Sequence, residues 1–488
     1  MITGFDAAGP NPLQRYIPSL RIPGEIVYAG TKGAPLETGD PLSVQPAITL
    51  GLGYAVNSKT VVRGGYNILW QPTSFGRQSV TGFGQTTSVI ASTNNYVTPA
   101  TTISNPYPDG LLKPTGNTLG GLSGIGQAVE LLSPTAASGG YVQALSMAVQ
   151  RETGRGFTLT LGARGLRGLH LLQSGRNIDQ LNPALFAEAQ AQTKAAGSVP
   201  NPFYGNQGVG TIGTPRISPI QLLLPFPQYT SVTESNADTG RSLYYALAFA
   251  AQKRFSDGLL LLASYTWSRS EDDVTEVKAG LAEIANSAGP QNSYNPAGEW
   301  SLSAQDTPSR FTTAISYALP FGKGKSLSGR NEIVNWIVSG WSFEAIGTIQ
   351  TGFPLPVTQS NNNNIFGSSY QRPNATGVAP GTSGSTDDRL KAWLNTKAFS
   401  QAAPYTFGGV SRFLSVRGPG QFSWDLSMVK TFAIGARTQV QFQAEALNAT
   451  NTAYFGTPDT NISSPIFGEI TRQINSPREI RLGLRVTF

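Results

Sequence analysis

Ile480-Arg481-Leu482-Gly483-Leu484-Arg485-Val486-Thr487-Phe488 closes the sequence in strict alternation: every even position is apolar, every odd one polar or glycine. A period of two sends neighbouring side chains to opposite faces of a strand. An edge strand of a soluble sandwich shows the same pattern. The aromatic at the last position instead fits the girdle of an outer-membrane barrel, whose strands turn an apolar face to lipid and a small or charged face to the lumen. Ile480, Leu482, Leu484, Val486 and Phe488 are therefore expected to be the lipid side of a barrel-assembly strand.

Composition agrees. Charged residues make up 13% of the 488, with 55 Gly, 33 Pro and a net charge of +7. Mean hydropathy is −0.15. Such a balance suits strands that are apolar on one side only, joined by long polar loops. The densest apolar patch, residues 259–263, falls far short of the ~18 residues a spanning helix needs. A membrane chain without such runs must be a barrel, because only helices and closed barrels satisfy the backbone in lipid. Zero cysteines exclude disulfides and thiolate metal sites, and the single histidine, His170, builds no cluster. Lys and Arg are scattered rather than massed, which argues against nucleic acid and leaves outer-membrane lipid as the anionic neighbour. The start, Met1-Ile2-Thr3-Gly4-Phe5-Asp6, has neither basic nor apolar signal regions, so a signal peptide is expected upstream.

The alternation recurs along the chain. Ile48, Leu50, Leu52, Tyr54 and Val56 share one face, Asn57-Ser58-Lys59 turns, and Val62, Gly64, Tyr66, Ile68 and Trp70 return. Residues 71–140, rich in Thr, Ser, Asn, Gly and Pro, read as loop. Tyr141, Leu145, Met147 and Val149 precede a turn at residues 153–156, then Phe157, Leu159, Leu161 and Ala163 return and a second long loop runs to about Gly240. Leu243, Tyr245, Leu247 and Phe249 face Leu259, Leu261, Ala263, Tyr265 and Trp267 across Ser256-Asp257-Gly258. Phe311, Ile315 and Tyr317 lead to Pro320; after an insert to Ser339, Trp341, Phe343, Ala345 and Gly347 come back. Phe422, Trp424, Leu426 and Met428 turn at residues 433–437 into Val440, Phe442, Ala444 and Ala446.

The fold expected is all-β: an antiparallel transmembrane β-barrel, about 11–12 strands present, with short periplasmic turns and long extracellular loops. With Phe488 on the periplasmic side, every short turn falls there too. Tyr66, Trp70, Tyr141, Tyr265, Trp267, Tyr317, Trp341, Phe422 and Trp424 are expected at the interfaces, and Gln439, Gln441, Gln443 and Glu445 as a polar ladder facing the lumen. An odd count of about eleven does not close a bacterial barrel. Residues 21–28 supply a weakly alternating twelfth candidate; otherwise both edges lie open, which lipid forbids. The expectation is the C-terminal half of something larger. Residues 1–46 are then a partial loop and strand region and residues 47–488 the barrel portion.

Several stretches resemble the Oar-like TonB-dependent receptors common in acidobacteria. They are Thr60-Val61-Val62-Arg63-Gly64-Gly65-Tyr66, Val149-Gln150-Arg151-Glu152, Asn201-Pro202-Phe203-Tyr204-Gly205 and Leu223-Leu224-Pro225-Phe226-Pro227-Gln228-Tyr229. Further on come Lys253-Arg254-Phe255-Ser256, Ser264-Tyr265-Thr266-Trp267-Ser268, Leu319-Pro320-Phe321-Gly322-Lys323-Gly324-Lys325 and Thr351-Gly352-Phe353-Pro354. Trp424-Asp425-Leu426-Ser427, Glu445-Ala446-Leu447-Asn448 and Phe467-Gly468-Glu469-Ile470 match best, and the likeness covers roughly residues 45–488. It implies a barrel of 22 strands around a plug, a TonB box coupling to the inner membrane, and often a carboxypeptidase-regulatory-like domain upstream. Plug and box are not recognisable here, so contact with the TonB complex is expected only through a missing N-terminal region. The barrel-assembly machinery is the other partner implied.

No motif points to an enzyme. Gly208-Val209-Gly210-Thr211-Ile212-Gly213 has the letters of a dinucleotide fingerprint, but no strand precedes it and Pro215 discourages the helix. Gly324-Lys325-Ser326 imitates the end of a phosphate loop, with Leu319 where its first glycine belongs. Glu271, Asp272, Asp273 and Glu276 are acidic at a loop mouth without calcium-loop spacing, so a solvated rim is expected. Asn361 to Asn364 and His170 read as loop or rim. No cofactor or metal is expected. The functions left are uptake across the outer membrane with specificity in the extracellular loops, a passive porin or surface adhesin without energy coupling, or an inert remnant.

Overall fold

Strand by strand, the alternating segments find one another. The computed structural model describes residues 2–34, 44–71, 81–84, 86–87, 89, 91–92, 98–108, 110–133, 139–173, 175–206, 212–256, 258–274, 288–322, 325, 327, 332–360, 371–434 and 438–488. Eleven long strands run as one antiparallel meander, each bonded to the next. They are β1 (Thr49–Asn57), β2 (Thr60–Trp70), β3 (Tyr141–Glu152), β4 (Phe157–Gln173), β5 (Ala237–Ser256) and β6 (Leu259–Asp272). β7 (Ser309–Ala318), β8 (Trp341–Gln350), β9 (Gln421–Ile434), β10 (Thr438–Leu447) and β11 (Glu479–Thr487) follow. The two-residue strand Ser301–Leu302 adds to β6. Among the described residues the outer edges of β1 and β11 are unpaired, so the sheet is open, and both strands are exposed along their whole length.

All five long connections, residues 71–140, 174–236, 273–308, 351–420 and 448–478, leave the same end of the meander. Turns of a few residues join β1 to β2, β3 to β4, β5 to β6 and β9 to β10 at the other end. Residues 319–340, between β7 and β8, are the exception there and contain the helix Glu332–Val338.

The buried core is almost absent from the sheet and dense in the long connections. Leu50, Leu52, Leu145, Leu482 and Leu484 are each at least 60% exposed, as expected where lipid rather than protein covers them. The long connections bury apolar groups against one another, each full burial contributing about 1.5–3 kcal/mol. One loop core joins Ile125 and Val129 to Phe203, Phe226, Tyr229 and Val232. A second gathers Leu355, Val357, Trp393, Leu394, Phe399, Phe467 and Ile470.

Three expectations are corrected. Residues 71–140 are not plain loop: Ala128–Leu132 is a strand paired in parallel with Ser231–Ser235. The stretch up to Gly240 holds the helix Phe186–Ala195. The candidate twelfth strand exists as Pro23–Tyr28, but it pairs with Ile2–Pro10 in a separate two-stranded sheet. Ile22, Ile26 and Tyr28 lie in the first loop core, and that burial holds the segment away from the meander.

Candidate functional site

Register sorts the strand residues into two faces. On β10, Gln439, Gln441, Gln443 and Glu445 stand opposite Thr487, Arg485, Gly483 and Arg481 of β11, and opposite Ala433, Thr431, Val429 and Ser427 of β9. Gln443 Nε2 donates to Glu445 Oε1 at 2.6 Å. Following the pairs, the same face carries Glu344, Arg310, Thr266, Arg164 and Arg63. The polar ladder is thus part of a face that runs across the whole sheet. Apolar residues interrupt it: Leu262, Ala314 and Ile346 are adjacent, with Leu262 45% and Ile346 61% exposed, and Leu69, 56% exposed, stands opposite Val142.

The opposite face holds Ile480, Leu482, Leu484 and Val486, which pair with Ala446, Ala444, Phe442 and Val440. Phe488 lies just beyond β11 and is exposed. Tyr265, Phe311, Ile349 and Phe422 form one cross-strand row near the long connections. The Trp70 ring lies 5.0 Å from that of Tyr141, tilted by 44°, and its Nε1 donates to the Pro46 carbonyl at 2.9 Å. Trp267 is exposed and Trp424 lies against Gly347. Tyr66 stands at mid-strand, opposite Leu50 and Leu145. Tyr317 and Trp341 sit toward the short turns, beside Phe343 and Lys430.

Over the long-connection end, arginines join loop to loop. Arg412, almost fully buried, donates Nη2 to the Asp272 carboxylate, Nη1 to the Val274 carbonyl at 2.5 Å and Nε to the Glu299 carbonyl at 3.0 Å. Arg372 pairs with Glu299 where both are buried; that burial pulls the guanidinium below its usual range, against the opposing Glu299 charge. Arg417 pairs with Asp306, and Arg241 with Asp273 at 2.9 Å. The expected solvated acidic rim is therefore corrected in part: Glu271, Asp272 and Asp273 each face an arginine. Glu276, Asn361 to Asn364, Gly324, Ser326 and residues 208–211 lie outside the described residues. Among the described residues no cluster of His, Cys, Asp and Glu could hold a metal. His170 is an exposed rim residue, Nδ1 3.9 Å from Asp238.

Sequence reasoning missed Arg372, Arg412 and Arg417 because their partners lie more than 70 positions away, as with Arg372 and Glu299. It also missed Asp179, whose carboxyl is pushed up to about 8 by burial although Oδ1 accepts the Phe226 amide at 2.8 Å. Lys430 was missed as well, although the sequence carries its signal: it is the one cation in the otherwise apolar series Phe422, Trp424, Leu426, Met428, Lys430, Phe432.

A family model described as "Outer membrane beta barrel domain" matches residues 2–481. The chain belongs to that family. Outer-membrane localisation of this outer membrane beta barrel domain follows. No curated protein sequence matches it. Among solved structures, the outer membrane transporter YddB of Escherichia coli is similar at 9% identity and TM-score 0.41, over 90% of this chain and 40% of that one. The ferric-catecholate import receptor Fiu of E. coli K12 gives 9% identity and TM-score 0.38, over 95% and 40%. The siderophore receptor PiuA of Acinetobacter baumannii gives 8% and 0.37, over 95% and 38%. The chain spans less than half the length of each.

Proposed function

We infer that this domain is the C-terminal portion of an outer-membrane uptake receptor of the TonB-dependent, Oar-like type, with ligand specificity in the long connections. Its remaining strands, in a barrel of 22, would pair with the open edges of β1 and β11. The single observation that carries the reading is the set of exposed aliphatics on the face that carries the polar ladder, Leu69, Leu262 and Ile346 among them. Exposed aliphatics facing a hydrated lumen are costly, whereas a packed body such as a plug would cover them. The loop cap supports the same reading, since cores and buried ion pairs hold the long connections in fixed positions, as a specific binding surface requires.

The polar ladder from Gln439 to Glu445 favours a second reading, a passive water-filled pore without energy coupling. A photo-crosslinking residue at Leu262 or Ile346, in protein within the native outer membrane, separates the two. The receptor reading expects efficient crosslinks to a globular domain of the same polypeptide and no steady channel conductance. Absence of crosslinks together with open-channel steps in a planar bilayer would replace it with the pore.

A further inference from the structure

Lys430 is 2% exposed, yet it belongs to the lipid face, next to Trp341 and in line with Met428 and Phe432. An unpartnered lysine at mid-bilayer on that face costs about 2–4 kcal/mol. Here the ammonium is consumed internally: Nζ donates to the carbonyls of Trp336 at 2.9 Å and Ile337 at 3.0 Å, and to that of Ser339. Trp336 and Ile337 belong to the last turn of Glu332–Val338, where helix carbonyls lack intrahelical partners, and Ser339 follows it directly. The Trp341 indole Nε1 donates to the Ile337 carbonyl as well, at 3.1 Å. Rings surround the cation, with Phe432 4.7 Å and Trp341 5.7 Å from Nζ, and Trp336 lies 5.0 Å from Phe432. Gly340, at φ 70°, then returns the chain into β8 under the Thr431 carbonyl, 2.5 Å from where a Cβ would stand.

The helix so held reads Glu-Ile-Val-Asn-Trp-Ile-Val, and it shows its apolar side outward: Ile333 is 70%, Trp336 58% and Ile337 54% exposed. Between it and the sheet opens a groove of about 340 Å³ lined by Leu319, Phe321, Ile337, Val338, Trp341 and Met428. Met428 continues directly into the lipid-facing row Phe343, Ala444 and Leu482. Helix, groove and sheet adjoin as apolar surface, and Lys430 and Trp341 satisfy the carbonyls at the helix end, a condition for placing such a segment against acyl chains.

We propose that the helix Glu332–Val338 is a membrane-interface anchor: it lies at the headgroup–acyl boundary of the leaflet at the short-turn end, and the groove beneath it holds an acyl chain of a membrane phospholipid. Two features favour lipid over a protein partner. The surface adjoins the apolar face of the sheet, which a barrel turns to lipid, and Trp336, Trp341 and Phe432 gather at the level where interfacial aromatics sit. Lys430 is a positioning residue, acting through the helix it caps. The proposal rests on outer-membrane placement and is independent of the uptake reading.

The chain contains no cysteine, so a single one can be labelled cleanly. The protein as it occurs in the outer membrane, with the strands that pair with β1 and β11, is placed in phosphatidylethanolamine–phosphatidylglycerol nanodiscs with an environment-sensitive fluorophore on Ile333→Cys, and on Ser58→Cys in the β1–β2 turn as reference. Heat-modifiable migration shows that the barrel has formed in each variant. The expected result is that the label at 333 is quenched at least about threefold more by shallow spin-labelled lipid than the label at 58, and resists aqueous iodide, as a helix buried some 5–10 Å into the interface requires. Lys430→Met, in the 333-labelled background, is expected to abolish the difference while the barrel still forms. Met428→Trp, which fills the groove, is expected to reduce phospholipid retained in native mass spectra. Iodide quenching at 333 equal to that at 58, or protection from both iodide and spin-labelled lipid, as a bound protein would give, would overturn the proposal. So would an unchanged lipid signal in Lys430→Met.

Discussion

Arg412, in the connection from β8 to β9, is paired with Asp272, the last residue of β6, 140 positions away. The guanidinium is 1% exposed and the carboxylate 15%. One side chain thereby ties the loop cap to a strand end. Arg412→Ala leaves a carboxylate and several carbonyls without their donor, and removing one partner of such a buried pair costs about 3–5 kcal/mol. The expected outcome is faster proteolytic cleavage and hydrogen exchange within residues 371–420, with heat-modifiable barrel behaviour retained. Unchanged protection would remove Arg412 from that role.

Asp179 makes the cap sensitive to pH. Burial raises its carboxyl to about 8 from an ordinary 3.8. The Tyr294 hydroxyl, which donates to the Gln180 carbonyl at 3.2 Å, is raised chiefly by burial and then by the Asp179 charge. A folded-state value above the unfolded one means that stability is full below pH ~4, falls as the unfolded form ionises, and levels off above pH ~8. Hydrogen exchange of residues 175–235, corrected for intrinsic rates, should therefore rise between pH 5 and pH 8. Asp179→Asn keeps an oxygen for the Phe226 amide and should flatten that rise; an equal slope in both proteins would contradict the assignment.

Phe203 is fully buried, its amide held by Asn201 Oδ1 at 2.9 Å, while Asn201 Nδ2 donates to the Ile212 and Thr214 carbonyls at 2.5 Å each. Phe203→Ala should cost the first loop core about 3–5 kcal/mol. Cleavage confined to the N-terminal hairpin and residues 175–235, read by mass spectrometry, is the outcome to look for. Cap protection equal to wild type would show that the core does not depend on Phe203.

The same residue shows what sequence could and could not tell. The Asn-Pro-Phe-Tyr-Gly and Leu-Pro-Phe-Pro-Gln-Tyr stretches carry the family likeness, and the structure uses their Phe203, Phe226 and Tyr229 as loop core. The strands were legible because period-two alternation is a local signal, and every pairing in the meander joins neighbouring segments. The loop cap was not. Its strand pair Ala128–Leu132 with Ser231–Ser235 spans some hundred residues, and its ion pairs match single charges across loops of mixed composition. Lys430 was visible as a break in an apolar series, but only the carbonyls of a helix nearly a hundred positions earlier explain it.

The most direct test of two-faced strands is a single-cysteine scan through β6 in the native outer membrane, at Leu261, Leu262, Ala263, Ser264, Tyr265 and Thr266. Register puts Leu262, Ser264 and Thr266 on the polar face and the other three on the lipid face. Leu262 decides most, because its hydropathy argues for lipid and its register for water. A charged maleimide should label 262, 264 and 266 and leave 261, 263 and 265 unreacted. Labelling that follows hydropathy rather than parity, or that shows no alternation, would contradict the account.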